Sequence, residues 1–186
     1  MDLIEALLQS DSVDVDVRDI GVIAFYRQQV LKIRLMLRER NLGAVRVGGV
    51  HDYQGQEARI IFISTVVAKH RAFDPAVDPI GPPDGRGSSE VAKRFNVALT
   101  RGKALNVIVG NPLVLESDPC WRRLIEFTAE RGSYRGCRCV TAKGTDACDD
   151  DDANADDSEA LVTQMSKIGL ASPLRNPPLL AIYESF

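Results

Sequence analysis

The sequence lacks a membrane span, a secretory signal and a cysteine motif for zinc. None of its apolar runs reaches the roughly 18 to 20 residues that a membrane span needs, so we expect no membrane partner. Residues 1–16 contain neither a positive leader nor an extended apolar core, so we expect no secretory signal. The four cysteines lack the paired C-x-x-C spacing of a zinc site, and they favour reduced thiols in a cytosolic or nuclear setting. We therefore expect no metal site.

The charge of the chain is unevenly distributed, although its net value is only −3. Residues 18–145 hold 21 basic and 12 acidic side chains, an excess of nine positive charges. Such an excess favours a polyanionic partner, either nucleic acid or nucleotide. Charge alone leaves open the alternative of a merely solvated basic surface.

The character of the sequence changes after Gly144. Eight acidic residues lie between Asp146 and Glu159, with almost nothing apolar among them, and this composition predicts disorder. The stretch that follows has scattered apolar residues and a Pro-Pro pair, too little for a core. We expect residues 146–186 to form a disordered acidic tail, with a short docking motif in its last part as the alternative.

Short apolar runs alternate with helical patterns between these ends. The predicted strands are residues 20–26, 44–50, 59–67 and 105–109. The predicted helices are residues 27–40, 94–99 and 119–131, after the last turns of a helix at residues 1–8. Strands that alternate with helices at this spacing predict an α/β fold with a largely parallel sheet. A long surface loop is predicted from His70 to Ser89, where proline and glycine are frequent.

The predicted helices carry recognisable end signals and inward faces. Asp118 is a typical N-cap residue, Pro119 suits the first helical position, and Gly132 is a typical stop. The inward positions expected from helical spacing are Val30, Ile33 and Leu37 in one helix and Trp121, Leu124, Ile125 and Thr128 in the other.

An arginine and a lysine lie in the corner Thr100–Lys103, just before the apolar strand that begins at Leu105. A buried strand does not need two cations at its entrance. A site for an anionic ligand does, because cations are placed where negative charge must be bound. This corner is therefore a candidate binding site.

Three segments resemble, in this order, three stretches of the second RecA-like domain of superfamily-one helicases. They read DIGVIAFYRQQVLKIRLML (19–37), VGGVHDYQGQEARIIFIST (47–65) and KRFNVALTRGKALNVIVGNP (93–112). The resemblance is to the up-frameshift-like group, and the continuation over residues 110–137 is most similar to the armitage and Moloney-leukaemia-virus-10 RNA helicases. It extends over residues 18–139 and implies a RecA-like fold of the P-loop NTPase type, as the second motor domain.

The resemblance also implies a nucleotide site. In such helicases ATP binds between two RecA-like domains, and the first domain supplies the phosphate loop and the carboxylates for Mg²⁺. Arg101 occupies the place of the arginine that reaches the γ-phosphate, where a fixed guanidinium stabilises the charge of the transition state. Glu57, Gln54 and Gly55 match the motif that contacts the nucleotide. The alternatives are a surface arginine at a helix corner and an ordinary surface carboxylate.

Four further residues are candidates for contact with RNA. Tyr26, Ser64 and Thr65 resemble positions near the RNA phosphates, and Lys103 is interpreted as a surface or RNA-facing charge rather than a catalytic one. The family pattern is not fully kept, because Ala24-Phe25 replaces Thr-Pro and His51 replaces an acidic residue. Gly49 and Gly102 replace a hydroxyl residue and an alanine.

Nothing in the sequence matches the phosphate loop G-x-x-x-x-G-K-[ST] or the D-E pair for magnesium. We therefore predict the C-terminal motor half of an ATP-dependent 5′-to-3′ RNA helicase, inactive by itself. Residues 1–17 would be the end of an upstream helix and a linker. Residues 18–145 would be the RecA-like domain, incomplete at its N-terminus, followed by the tail at residues 146–186.

The resemblance implies partners and a cellular setting for this predicted protein. The partners are RNA, ATP with Mg²⁺, the missing first RecA-like domain of the same protein, and silencing-complex proteins. The setting is the cytoplasm, including RNA granules, with a role in RNA-mediated gene silencing. The alternative function is that of a non-enzymatic RNA- or protein-binding module derived from a helicase.

Overall fold

The structure is a computed structural model that describes residues 1–10, 14–65, 89–116, 118–135 and 179–183. In these ranges no helix is both long and apolar enough to cross a lipid bilayer. The helices are α1 (Asp2–Gln9), α2 (Arg27–Glu39), α3 (Ser89–Leu99), α4 (Pro112–Leu115) and α5 (Pro119–Glu130). The strands are β1 (Ile20–Ala24), β2 (Arg46–Gly48), β3 (Ala58–Ser64), β4 (Gly102–Val109) and β5 (Leu179–Tyr183). Short 3₁₀ turns form at Val17–Asp19 and His51–Tyr53.

The five strands form one sheet in the order β2-β1-β3-β4-β5. Every neighbouring pair is parallel. In the middle of the sheet Val22 lies opposite Phe62, which in turn lies opposite Val107. The prediction of an α/β fold with a largely parallel sheet is therefore confirmed.

Side chains of the central strands are buried on both faces of the sheet. Ile20, Val22, Ile60 and Phe62 point into a cluster that α1 and α2 cover. Their neighbours point to the opposite face, where α3, α4 and α5 pack around residues that include Ile23, Ile61, Ile63 and Ile108. A strand covered on both faces needs apolar residues at consecutive positions. This requirement explains the unbroken apolar runs of the sequence.

The connections that follow β1 and β2 lie on opposite faces of the sheet. Helix α2 joins β1 to β2 and buries Val30, Ile33 and Leu37 in the first cluster, as predicted. The link from β2 to β3 crosses the other face, where it buries Val50 and Tyr53. The chain thus adds β2 on one side of β1 and β3 on the other, so the order of strand addition reverses between β1 and β3. In open α/β sheets such a switch point, at the carboxyl ends of the strands, is where ligands bind.

The end signals of α5 are confirmed in atomic detail. One carboxylate oxygen of Asp118 accepts hydrogen bonds from the backbone N–H groups of Cys120 and Trp121, at 2.8 and 3.1 Å. Gly132 has a φ of 66° just beyond the helix, in the left-handed region that glycine tolerates. The predicted inward stripe is buried at all four positions, Trp121, Leu124, Ile125 and Thr128.

Several predicted boundaries were wrong. Strand β2 is shorter than residues 44–50, and β3 ends at Ser64 rather than at residue 67. Helix α3 already includes Ser89, so the predicted loop ends earlier; residues 70–88 of that loop lie outside the described residues. Strand β4 begins at Gly102 rather than at Leu105 because Gly102 pairs with Ala58 of β3. The basic corner is therefore reduced to Thr100 and Arg101.

The prediction of a disordered tail over residues 146–186 was wrong for Leu179–Tyr183. These five residues form β5, in which Leu180 lies opposite Val107 of β4. The segment has too few apolar residues for a core of its own. It needs no core of its own, because it pairs with β4, whose side chains are already buried in the core of the domain. The rest of the predicted tail lies outside the described residues.

Candidate functional site

The predicted site residues separate into two groups at opposite ends of the strands. Glu57 immediately precedes β3 and Arg101 immediately precedes β4, and the backbone N–H of Ala58 donates to the carbonyl of Arg101 at 3.2 Å. Ser64 and Thr65 lie at the other end of β3. Because β3 has seven residues, its two ends lie about 20 Å apart. The structure thus brings the two main nucleotide candidates together and holds two RNA candidates apart from them.

The Arg101 side chain lies against the end of α3. Its Nε donates to the carbonyl of Val97 at 3.0 Å, and its Nη2 donates to the hydroxyl of Thr100 at 2.9 Å. A guanidinium carries five N–H donors. Three of them remain without a partner among the residues that the structure describes. Arg101 is only partly buried, so these donors are available to an anion.

Glu57 forms an ion pair with Lys103 beside this arginine. Their nearest charged atoms are 3.5 Å apart, and the side chains are 54% and 62% exposed. An exposed pair of this kind contributes little to stability, about 0.2 to 1 kcal/mol, so a ligand can displace it. Lys103 lies with the nucleotide candidates and apart from Ser64 and Thr65. It is an exposed surface charge, and its contact with RNA stays a prediction.

The two remaining nucleotide candidates form the turn before β3. Gly55 has a φ of 74°, which side chains with a Cβ rarely adopt. Gln54 is exposed just before it, and the backbone N–H of Gln56 donates to the carbonyl of Tyr53 at 3.0 Å. No atom lies within 4 Å of a Cβ placed on Gly55. The glycine is therefore required by the backbone angle rather than by crowding.

The RNA candidates at the carboxyl ends of the strands differ in accessibility. Thr65 is fully buried, and its hydroxyl donates to the carbonyl of Val109 at 3.2 Å. A Cβ on Gly110 would collide with that hydroxyl. Thr65 is thus a packing residue at the end of β3. Its contact with RNA stays a prediction, which this burial does not favour. Ser64 is half-buried.

Tyr26 precedes the first turn of α2 and packs against the second apolar cluster. Its hydroxyl is buried and finds no hydrogen-bond partner in the described part of the chain. A ligand that bonds this hydroxyl would therefore break no hydrogen bond to the described residues. The contact of Tyr26 with RNA stays a prediction.

A basic cleft of about 520 Å³ lies at the carboxyl ends of β1 and β2. Its lining includes three arginines and a histidine, Arg27, Arg34, Arg94 and His51. Arg34 donates twice to the carbonyl of Val47, at 3.1 and 2.6 Å. Arg27 is exposed at the first position of α2, which no side chain caps. Free N–H groups and the helix dipole add positive potential at such an end.

Sequence reasoning missed Arg27 and Arg34 as site residues. The available signal was their position on α2, off the apolar face formed by Val30, Ile33 and Leu37. That position alone is equally typical of a solvated helix surface. Only the fold shows that these arginines and Arg94, from different helices, line the same cleft.

Tyr53 is a second residue that sequence reasoning missed, since its neighbours His51, Asp52 and Gln54 are all polar. It is 1% exposed. Its hydroxyl accepts from the backbone N–H of Val22 at 3.1 Å and donates to the carbonyl of Arg46 at 2.7 Å. Burial raises the pKa of Tyr53 to about 12. A Cβ on Gly21 would lie 2.6 Å from the phenol oxygen, so glycine is needed there.

The described residues contain no group of three His, Cys, Asp or Glu side chains that could hold a metal ion. The carboxylate beside Arg101, that of Glu57, pairs with Lys103. The Mg²⁺ that the resemblance implies therefore has no ligand set in the part of the chain described here.

Comparison with known proteins places the chain in a family. A family model described as "AAA domain" matches residues 1–113. "RNA helicase Mov10l1" of Mus musculus is 45% identical over 134 residues, which are 70% of this chain and 10% of that protein. "Putative helicase MOV-10" of Gallus gallus is 40% identical over 129 residues, 64% of this chain and 13% of that protein.

A relative from an insect gives the same result. "Probable RNA helicase armi" of Drosophila melanogaster is 37% identical over 127 residues, which are 67% of this chain and 10% of that protein. The chain thus matches about a tenth of the length of these relatives. Residues 1–113, which the family model matches, include strands β1 to β4 and the Glu57 and Arg101 motifs. The chain therefore belongs to the AAA domain family, as an α/β, RecA-like superfamily-one helicase C-terminal domain homologous to the Mov10l1, MOV-10 and armitage helicases.

Proposed function

We propose that this domain is the C-terminal motor half of an ATP-dependent RNA helicase that moves 5′ to 3′ on RNA. The observation that carries the proposal is the arrangement of Arg101, which is fixed at the end of α3 beside Glu57 and keeps three free N–H donors among the described residues. Two of the relatives are named as RNA helicases, and this supports RNA as the substrate.

The chemistry proposed for Arg101 is stabilisation of the transferring phosphoryl group. Its oxygens gather negative charge in the transition state, and an arginine held in place stabilises that charge without reorganisation. An arginine suits this role because it stays ionised and offers a planar fork of donors. The first motor domain would supply the phosphate loop and the ligands of Mg²⁺, which assists by neutralising phosphate charge.

Glu57 and the turn at Gln54 and Gly55 would hold the nucleotide next to Arg101. The Glu57 carboxylate can accept hydrogen bonds from ribose hydroxyls once its exposed pair with Lys103 opens. The left-handed φ of Gly55 keeps this turn tight.

The basic cleft at the carboxyl ends of β1 and β2 is the proposed RNA surface. It combines Arg27, Arg34 and Arg94 with the uncapped amino end of α2, and both features favour phosphate. Tyr26 and Ser64 lie at the same end of the sheet. Because the nucleotide group lies at the other end of the strands, closure of two motor domains around ATP would move the cleft along RNA.

Cellular role and location are part of the same proposal. We infer from the resemblance to armitage-type helicases that the protein acts in RNA-mediated silencing, with silencing-complex proteins and in cytoplasmic RNA granules. The second candidate is a non-enzymatic RNA- or protein-binding module. It is supported by one observation, the basic cleft, whose arginines can bind RNA phosphates without any nucleotide.

The test is a chimera of mouse Mov10l1 in which the 134 matched residues are replaced by those of this chain. Arg101→Ala is expected to lower kcat of RNA-stimulated ATP hydrolysis by roughly 10³ to 10⁵, and Arg101→Lys should restore little. Lys103→Ala, the neighbouring control, should lose less than about tenfold, since exposed pairs contribute little.

Two outcomes would reject the proposal. Near-normal kcat in the Arg101→Ala chimera would show that the nucleotide site lies elsewhere. A wild-type chimera that binds RNA but hydrolyses no ATP would favour the module. Affinity for RNA without nucleotide should hardly change in Arg101→Ala, because the arginine lies at the opposite end of the strands from the cleft.

A further inference from the structure

The end of α3 is built around Arg101. The last four carbonyls of a helix have no partner within it, and here each one has a donor from the corner or from β4. The carbonyl of Asn96 accepts from the Thr100 N–H at 3.1 Å, and that of Ala98 from the Arg101 N–H at 3.5 Å. The carbonyl of Val97 accepts from Arg101 Nε, and that of Leu99 from Asn106 Nδ2 at 2.9 Å.

The corner that carries Arg101 is itself fixed on the sheet. Asn106 is fully buried in β4, and its amide reaches back to Leu99, the last residue of α3. A Cβ on Gly102 would lie 2.5 Å from the Oδ1 atom of Asn106. The buried amide and the glycine thus hold α3 and β4 together on either side of Thr100 and Arg101.

Thr100 sets the orientation of the guanidinium. The carbonyls of Asn96, at 2.9 Å, and Val97, at 3.3 Å, share its hydroxyl proton, so an oxygen lone pair remains to accept from Arg101 Nη2. A hydroxyl has one proton and two lone pairs. Because the proton of Thr100 points to backbone carbonyls of α3, a lone pair points to Arg101. With Nε held by Val97 and Nη2 by Thr100, the guanidinium cannot turn freely about its Nε–Cζ bond.

We propose that Thr100 is a positioning residue, which presets the guanidinium of Arg101 for the phosphoryl group. The inference rests on the proposed function of Arg101. Preorganised donors stabilise a transition state because no free energy is spent on orienting them during the reaction. The rival explanation is that both residues only cap α3, in which case the orientation of Arg101 has no effect on the rate.

The test compares Thr100→Val, which keeps the shape and removes the hydroxyl, with Thr100→Ser, which keeps the hydroxyl. In the Mov10l1 chimera Thr100→Val should lower kcat by roughly ten- to a hundredfold, the value of one hydrogen bond to a charged group. KM for ATP should change less than about twofold, since the effect lies in the transition state. Thr100→Ser should retain most of the rate, and Asn96→Ala, an exposed side chain on the same helix, should match the wild type.

A double variant separates this inference from the proposed function. If Arg101→Ala removes the activity and Thr100→Val acts through Arg101, the double variant should be no slower than Arg101→Ala alone. Additive losses, or full activity of Thr100→Val beside an inactive Arg101→Ala, would overturn the positioning role and leave the proposed function standing. Full activity of Arg101→Ala would overturn the proposed function itself.

A measurement on the 186-residue chain applies even where the chimera has no activity. Restricted rotation about Nε–Cζ should give separate ¹⁵N signals for Nη1 and Nη2 of Arg101, which Arg101→Lys identifies by their loss. In Thr100→Val the two signals should merge, while Thr100→Ser keeps them apart. Separate signals in Thr100→Val would contradict the proposal.

Discussion

The phenol oxygen of Tyr53 lies between two neighbouring strands, 3.1 Å from the backbone nitrogen of Val22 in β1. Val22 is paired with Val47 of β2, and the same phenol donates to Arg46 of β2. A side chain from the link between β2 and β3 thus joins the two strands. The link that it anchors continues directly into Gln54, Gly55 and Glu57.

Tyr53→Phe is expected to reduce the free energy of unfolding by about 1 to 3 kcal/mol, because it leaves the buried N–H of Val22 and the part-buried carbonyl of Arg46 without the phenol as partner. Urea denaturation of the 186-residue chain measures this loss. Tyr26→Phe is the matched control, since the Tyr26 hydroxyl has no partner among the described residues. Equal losses for the two variants would show that the hydrogen bonds of Tyr53 do not matter.

The raised pKa of Tyr53 makes stability depend on alkaline pH. The folded-state pKa of about 12 lies above the ordinary tyrosine value of about 10, so the folded chain binds the phenol proton more tightly. This contribution is complete below about pH 10 and is lost as the pH rises toward 12. Denaturation midpoints of the wild type should therefore fall more steeply over that window than those of Tyr53→Phe. Parallel curves would contradict the assignment.

The 186-residue chain is expected to show no ATP hydrolysis above background. Half of the γ-phosphate contacts and all Mg²⁺ ligands would come from another domain, and the described residues include no group able to hold a metal ion. A phosphate-release assay with and without single-stranded RNA measures this directly. Turnover at about 1 per second or faster, an ordinary enzymatic rate, would show that the nucleotide site is complete within this chain.

The basic cleft should bind single-stranded RNA weakly and with strong salt dependence, because phosphate contacts release counterions. Arg27→Ala should lower the affinity and reduce the slope of log K against log salt concentration by about 0.7, the value for one phosphate contact. Fluorescence anisotropy with a labelled oligouridylate provides the measurement. Arg123→Ala, an exposed arginine on α5, is the control, and an equal change there would place RNA outside the cleft.

The eight acidic residues between Asp146 and Glu159 are expected to compete with RNA for the basic surface. Replacing them with Asn and Gln should tighten RNA binding, most strongly at low salt. Substitution is preferable to deletion of residues 146–186, because deletion also removes β5. Unchanged affinity at low salt would show that the acidic run and RNA do not compete.

Much of the fold could be predicted because its signals are local. The cap at Asp118, the stop at Gly132 and the helical spacing of Val30, Ile33 and Leu37 each depend on neighbours in the chain. The apolar run of β3 likewise required no knowledge of its partners. The adjacency of Glu57 and Arg101 was available only through the resemblance, and the pairing of β3 with β4 explains it.

The failures involve residues whose environment comes from distant parts of the chain. Tyr53 stands among polar neighbours, and its burial arises from Gly21, more than thirty residues away in sequence. Thr65 is buried by Gly110, and β5 exists because β4 accepts it. Arg27 and Arg94 meet in one cleft only after the sheet is formed. No local pattern contains this information.

The placement of β5 also determines which strand forms the open edge of the sheet. Along Asn106–Val109, β5 occupies the side of β4 that faces away from β3. A chain that ended before Leu179 would present this side as an open row of backbone donors and acceptors on a strongly apolar strand. Such an edge is a template for pairing with another molecule. The last strand covers this side of β4, and the open edge of the sheet therefore lies along the five residues of β5.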